Sequence, residues 1–117
     1  MTGPLDGYRI VDLTGVISGP FATMILADQG ADVIKVETPG VGDYTRQAGN
    51  RKADLSASFL NNNRNKRSIA INLKDKRGLE IFNRLIKTAD VLTQNFRPGV
   101  AERIGVGEDD VRKIAPN

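Results

Sequence analysis

The sequence contains no histidine and no cysteine. The first absence removes the commonest general base and the commonest metal ligand together. The second excludes disulfides and thiolate metal sites. Metal ligands are thereby confined to oxygen donors, which argues against zinc or copper, and no metal is expected. Any nucleophile or base has to be Asp, Glu, Lys, Ser, Thr or Tyr. No apolar run approaches the roughly 20 residues that span a bilayer, so no membrane partner is expected. Met1 to Asp6 has neither the basic flank nor the apolar run of a signal peptide. A cysteine-free composition fits a reducing cytosol, and a cytoplasmic location is the expectation.

With 117 residues, of which 39% are apolar and 26% charged, the chain has ordinary globular composition and room for one small domain with a modest core. Its net charge of +3 is unevenly spread. Arg46, Arg51, Lys52, Arg64, Lys66, Arg67 and Lys74 face a single acid, Asp54, so that stretch carries +6 and the remainder −3. Such asymmetry points to an anionic partner, against the plainer reading of a solvated loop.

The start of the chain reads as a β-α-β unit. Arg9 to Leu13 is a short strand rich in β-branched residues. A turn follows, with Ser18 or Gly19 as helix cap and Pro20 at the first helical position. The helix runs from Phe21 to Gln29 and stops at Gly30. Val33 to Glu37 is a second strand, and so short a βαβ unit implies parallel pairing. Gly40 to about Asn65 is polar, basic and aperiodic, which reads as a long functional or mobile loop, with Asn61, Asn62 and Asn63 favouring turns. Ser68 to Leu73 alternates as a third strand, with Ile69, Ile71 and Leu73 on one face. Asp75 can cap a helix reaching about Thr88, whose stripe of Leu79, Phe82, Leu85, Ile86 and Ala89 is core. Val91 to Asn95 is a fourth strand, and short helices are expected over Val100–Ile104 and Glu108–Ile114. Ala115-Pro116-Asn117 reads as a connection into another element. The fold class is α/β, a three-layer parallel sheet of about four strands. In such sheets ligands bind beyond the carboxyl ends of the strands, here the turns at Gly15, Glu37, Lys74 and Asn95.

Three chemistries compete for that position. Glu37 stands where a dinucleotide fold keeps its ribose-binding acid, but Gly15-x-x-x-Gly19-Pro20 is not G-x-G-x-x-G: the glycine that packs helix on strand lacks a counterpart, and Pro20 removes an amide. Asp12, Glu37 and Asp43 could form carboxylate pairs, yet no spacing singles out a pair, and an acid inside a strand more often orients a turn. The basic group around Lys66, with Lys74, Arg97 and Arg103 near neighbouring strand ends, suits a ligand carrying several phosphates. Nucleic acid is disfavoured, because Phe59 is the only aromatic in the basic stretch and no helix offers a basic recognition face.

Pro4 to Thr14, Ser18-Gly19-Pro20-Phe21-Ala22-Thr23, Gly30 to Glu37, Gly40-Val41-Gly42-Asp43, Asn63 to Ile69, Ala89-Asp90-Val91-Leu92 and Asn95-Phe96-Arg97-Pro98-Gly99-Val100 occur in order along the chain. This pattern resembles the opening of family III CoA transferases, the group containing formyl-CoA transferase, carnitine CoA transferase and α-methylacyl-CoA racemase. The resemblance covers essentially the whole chain. It implies a Rossmann-like, coenzyme-A-binding amino-terminal part, residues 1–117, of a larger interlocked homodimer. It places Val16 and Ile17 beside the thioester, and Ile71, Asn72, Leu73, Lys74, Asn95, Phe96 and Arg97 against the CoA nucleotide, with Arg103 at a phosphate. Arg46 and Lys66 are further candidates, Arg46 because Thr38 stands where many members carry an arginine for the adenosine end. Ile17 replaces the glutamine of formyl-CoA transferases, which argues against an oxalate or formyl substrate.

The activity implied is transfer of CoA between an acyl-CoA and a carboxylic acid, through an anhydride on an aspartate downstream of Asn117. No catalytic residue is expected within the chain. An acyl-CoA racemase or epimerase, using downstream His and Asp, is the alternative within the family. A non-catalytic nucleotide-binding module is the alternative outside it.

Overall fold

The β-branched runs of the sequence become strands of one sheet. In the computed structural model, which describes residues 2–117, they are β1 (Arg9–Asp12), β2 (Asp32–Glu37), β5 (Arg67–Ala70) and β6 (Val91–Thr93). A small hairpin, β3 (Arg51–Lys52) with β4 (Leu55–Ser56), stands apart. The helices are α1 (Ser18–Asp28), α2 (Ala57–Asn63), α3 (Lys76–Ile86), α4 (Val100–Arg103) and α5 (Glu108–Ile114). The main sheet has the order β5-β2-β1-β6, and every pairing is parallel. The parallel pairing is what the βαβ reading implied, and the Rossmann-like half-sheet is what the resemblance implied.

Alternation along the strands feeds two cores. Ile10 and Val33 pack with Ala27 of α1 and Ala31 on one face. Val11, Leu13 and Val36 pack on the other, against Phe82 and Ile86 of α3 and against Ala101 and Val106. That makes three layers. α3 is capped by Asp75, whose carboxylate accepts from the Arg77 amide at 2.9 Å, as anticipated. Of its expected stripe Phe82 and Ile86 are buried and Leu79 and Leu85 half-buried; the helix ends at Ile86, short of Thr88, so Ala89 packs from the turn beyond it.

Several boundaries differ from the sequence expectation. α1 begins at Ser18 with Ile17 at the cap position and no side-chain cap, so Pro20 lies inside the first turn rather than at its start. β5 ends at Ala70, and Ile69 is 37% exposed, because β5 is an edge strand with no neighbour on its outer side. Ile71 and Leu73 leave the strand and fold under the sheet toward α3.

The largest correction concerns residues 40–65. The expected loop contains a 3-10 turn (Tyr44–Arg46), the β3–β4 hairpin and α2. Polar contacts, not apolar periodicity, hold it. Asp43 accepts from the Thr45 amide and hydroxyl at 2.9 and 2.7 Å. Ser56 caps α2, and Asn62 and Asn63 are buried in that helix instead of forming turns. Arg46 stacks 3.8 Å from the centre of the Phe59 ring and grips Glu37 through two bonds of 2.7 Å.

Beneath this segment, on the α1 side of the sheet, the carboxyl ends of β1 and β2 carry charge instead of aliphatic side chains. Asp12 stands opposite Lys35 in the ladder. Lys35 pairs with Asp43 at 2.9 Å and donates to the Thr14 carbonyl. Asp12 pairs with Lys66 at 3.0 Å and accepts from Thr14 and from the Thr23 hydroxyl. All four charged side chains are at most 2% exposed. Removing such ions from water costs several kcal/mol each unless every one is paired and hydrogen-bonded. Burial opposes ionisation of Asp12, but bonds from Thr14 and Thr23 and the ammonium of Lys66 outweigh it and lower its pKa. Glu37 follows the same logic. Burial would raise it, whereas Arg46, Ser68 and the Asp43 amide hold it down to about 2.

Replacing Lys66 by Met strands the Asp12 carboxylate in this layer. Urea unfolding should report a loss of about 3–5 kcal/mol, the usual cost of removing one partner from a buried pair. A loss below about 1 kcal/mol would mean that the hydroxyl and amide donors alone suffice for Asp12. Acid titration gives a second expectation. The folded Glu37 pKa lies below its ordinary 4.5, so its stabilising contribution is complete above pH 4.5 and disappears as pH falls toward about 2. Urea midpoints should therefore drop across that window, and Glu37→Gln should flatten the drop while lowering the midpoint at pH 7.

Candidate functional site

The sheet order reverses direction at β1. One branch of the chain runs outward through β2 and β5, and the other crosses to β6 on the opposite side of β1. A crevice at such a switch point is where open parallel sheets receive ligands. Here it is a cleft of about 620 Å³, within the range of small-molecule sites. All four turns singled out at strand ends contribute to its wall, at Gly15, Glu37, Lys74 and Asn95.

Local structure explains each side of it. Gly19 brings the first turn of α1 against the end of β1, where a Cβ would meet the Thr14 Cβ at 2.4 Å. Gly19 thus performs the helix-on-strand packing for which the sequence offered no third glycine. Gly78 does the same on the opposite face, since its Cβ would lie 1.9 Å from the Asn72 carbonyl oxygen. That close approach presses the turn after β5 onto the start of α3. The Asn72 side chain accepts from the Lys74 amide at 3.1 Å, and Lys74 stands exposed at the rim. After β6, Gln94 accepts from the Phe96 amide at 2.7 Å, and Arg97, also exposed, lines the cleft. Ile71, Leu73 and Phe96, which are partly or fully buried, line it as well. The cleft therefore presents both apolar side chains and cations.

Val16, Ile71, Asn72, Leu73, Lys74, Asn95, Phe96 and Arg97 all line it. Ile17 does not, and it is 57% exposed. Arg103 is exposed on α4 and also outside the lining. Arg46 is committed to Glu37 and Phe59, and the Lys66 ammonium is buried on Asp12, the Pro20 carbonyl and Asn63. Lys35, Asp43 and Tyr44 line the cleft without having been singled out together. The signal for Lys35 was available: a lysine inside a strand buried on both faces has to have a specific partner.

The geometry also bears on the dinucleotide reading. Glu37 Oε1 accepts from Arg46 and Ser68, and Oε2 from Arg46 and the Asp43 amide, at 2.7–2.8 Å. Both oxygens are saturated, so this acid has no capacity left for ribose hydroxyls. Asp12 and Asp43 are likewise committed to neighbouring lysines and hydroxyls, which leaves no carboxylate pair free for acid-base work. Among the described residues, no cluster of three acidic side chains could hold a metal ion.

Comparison with known proteins matches this arrangement to a family. Residues 5–117 fit the pattern described as CoA-transferase family III. Succinyl-CoA:glutarate CoA-transferase of Mus musculus is 51% identical over 115 residues, covering 97% of this chain and 26% of that protein. Acetyl-CoA:oxalate CoA-transferase of Acetobacter aceti is 49% identical over 114 residues, covering 97% of this chain and 29% of that protein. Among solved structures, Rv3272 from Mycobacterium tuberculosis superimposes with a TM-score of 0.91 at 43% identity, over 99% of this chain and 33% of its own. A CAIB/BAIF family protein from Brucella suis gives 0.90 at 37% identity, over 98% and 32%. The chain thus spans between a quarter and a third of these four proteins, and across that span its sequence and its fold agree: it belongs to CoA-transferase family III.

Proposed function

We propose that this chain forms the coenzyme-A-binding part of an enzyme that moves CoA between an acyl-CoA and a carboxylic acid. The observation that carries the reading is that exposed Lys74 and Arg97 and the apolar side chains of Ile71, Leu73 and Phe96 line one strand-end crevice. Coenzyme A has that same division, a long pantetheine arm and an adenine joined to several phosphates. Guanidinium and ammonium groups meet phosphate oxygens, Arg97 as a fork and Lys74 as a point charge, with Arg103 following on α4. Ile71, Leu73 and Phe96 offer the apolar surface, and the Gly15–Val16–Ile17 turn borders the thioester end.

The names of the similar proteins support transfer rather than racemisation: one acts on succinyl-CoA and glutarate, another on acetyl-CoA and oxalate. In this reading the acyl group passes through an anhydride on an aspartate outside the chain. The aspartate attacks the thioester carbonyl and expels CoA as thiolate into the cleft; the incoming carboxylate displaces the first acid from the anhydride, and the thiolate then takes the new acyl group and frees the aspartate. The enzyme acts as a homodimer.

Calorimetric titration of the full-length protein with CoA and with NADH tests the proposal. CoA should bind and NADH should not, given the saturated Glu37; clear NADH binding without CoA binding would reject the reading. Lys74→Ala and Arg97→Ala should each weaken CoA about tenfold, one charged phosphate contact being worth on the order of 1.5 kcal/mol. Unchanged affinity in both variants would move the phosphates elsewhere.

A further inference from the structure

The turn between β1 and α1 contains a backbone conformation that its sequence does not favour. Val16 has φ 71°, in the left-handed region, where a β-branched residue is a genuine outlier. Such a conformation persists only where the surroundings over-determine it. Two side chains from distant parts of the chain do so. Asn95, in the turn after β6, accepts from the Gly15 amide at 3.0 Å and donates to the Gly15 carbonyl at 2.9 Å. Asp43, after β2, places Oδ1 3.4 Å from the Val16 amide and is itself fixed by Lys35 and Thr45. Asn95 spans 80 residues of sequence to reach Gly15, and Asp43 spans 27 to reach Val16. Gly15, Val16, Asp43 and Asn95 all lie on the cleft wall, and the two contacts reach the turn from the β6 and β2 sides of β1.

We propose that Asn95 and Asp43 are positioning residues, a two-sided clamp that keeps the Gly15–Val16 turn in its left-handed shape and so sets the cleft for its ligand. Asn95 then acts through Gly15 rather than through a side-chain bond of its own to the ligand. What the shaped turn receives rests on the CoA reading above; how it is held does not. The distinction has a chemical signature, because glycine adopts positive φ without the cost that valine meets. A glycine at position 16 should make the clamp less necessary.

The test uses the full-length protein, its Asn95→Ala and Val16→Gly variants, and the double variant. Amide hydrogen exchange is followed without ligand, and CoA affinity by calorimetry. Asn95→Ala should speed exchange at Gly15 at least tenfold and weaken CoA binding about tenfold. In the double variant most of the affinity should return, while the Gly15 amide stays unprotected. Losses that simply add in the double variant would overturn the proposal, since Asn95 would then be touching the ligand directly. Unchanged Gly15 exchange in Asn95→Ala would overturn it as well. If the wild type fails to bind CoA but Asn95→Ala still releases the Gly15 amide, the CoA reading falls and the clamp stands. Should Asn95→Ala not fold, Asn95→Asp serves with the same readouts. It keeps the acceptor for the Gly15 amide but sets an oxygen against the Gly15 carbonyl.

Discussion

Asp12 sits at the carboxyl end of the central strand with no exposed surface, and Lys66 reaches it from 54 residues further on. Next to it, Lys35 is closed in by Asp43 and the Thr14 carbonyl. These ions replace the aliphatic filling that a parallel sheet ordinarily carries on both faces. Once charges are placed there, every neighbour is constrained, because an unpaired buried ion is far costlier than a missing methyl group. The arrival of β5, the fold of residues 40–63 and the turn after β1 all answer to that constraint. Hydrophobic contacts hold the α3 face of the sheet, whereas a hydrogen-bonded ionic layer holds the carboxyl end of the α1 face, directly beneath the cleft.

This division explains what the sequence alone makes legible. α3 announces itself through the stripe of Leu79, Phe82, Leu85 and Ile86 and through Asp75 as cap, and α5 is found with both of its expected ends. β1 and β2 are found within a residue or so. α2 is different. It has seven residues, its buried members are Asn62 and Asn63, and its attachment runs through Ser56, Phe59 and Arg46. No periodicity of apolar residues exists there to read. β5 misleads for another reason, since alternation continues through Ile69, Ile71 and Leu73 although the chain has already turned away from the sheet after Ala70.

The site was legible at the level of topology. Gly15, Glu37, Lys74 and Asn95 could be placed at strand ends without knowing any contact, and all of them meet at one cleft. Which groups face the ligand was not legible, because that depends on prior commitments. Arg46 and Lys66 look like free cations in a basic stretch, yet each is matched to an acid distant in sequence. Glu37 looks like a free acid and is saturated by four donors. Charge counted along a sequence overstates the charge available at a surface by as much as the fold neutralises internally.

The pairing of β1 with β6 has a further consequence, in the order of folding. Neighbouring strands β1 and β2 close a short loop, but Ile10 meets Val91 and Gly15 meets Asn95 only after some 80 residues have been gathered. Loop closure of that length carries an entropic penalty that must be met before its contacts give anything back. The hydrogen bonds that shape the cleft wall are therefore expected to form late in folding. A molecule with its β1–β2 core in place can still lack the wall of its cleft.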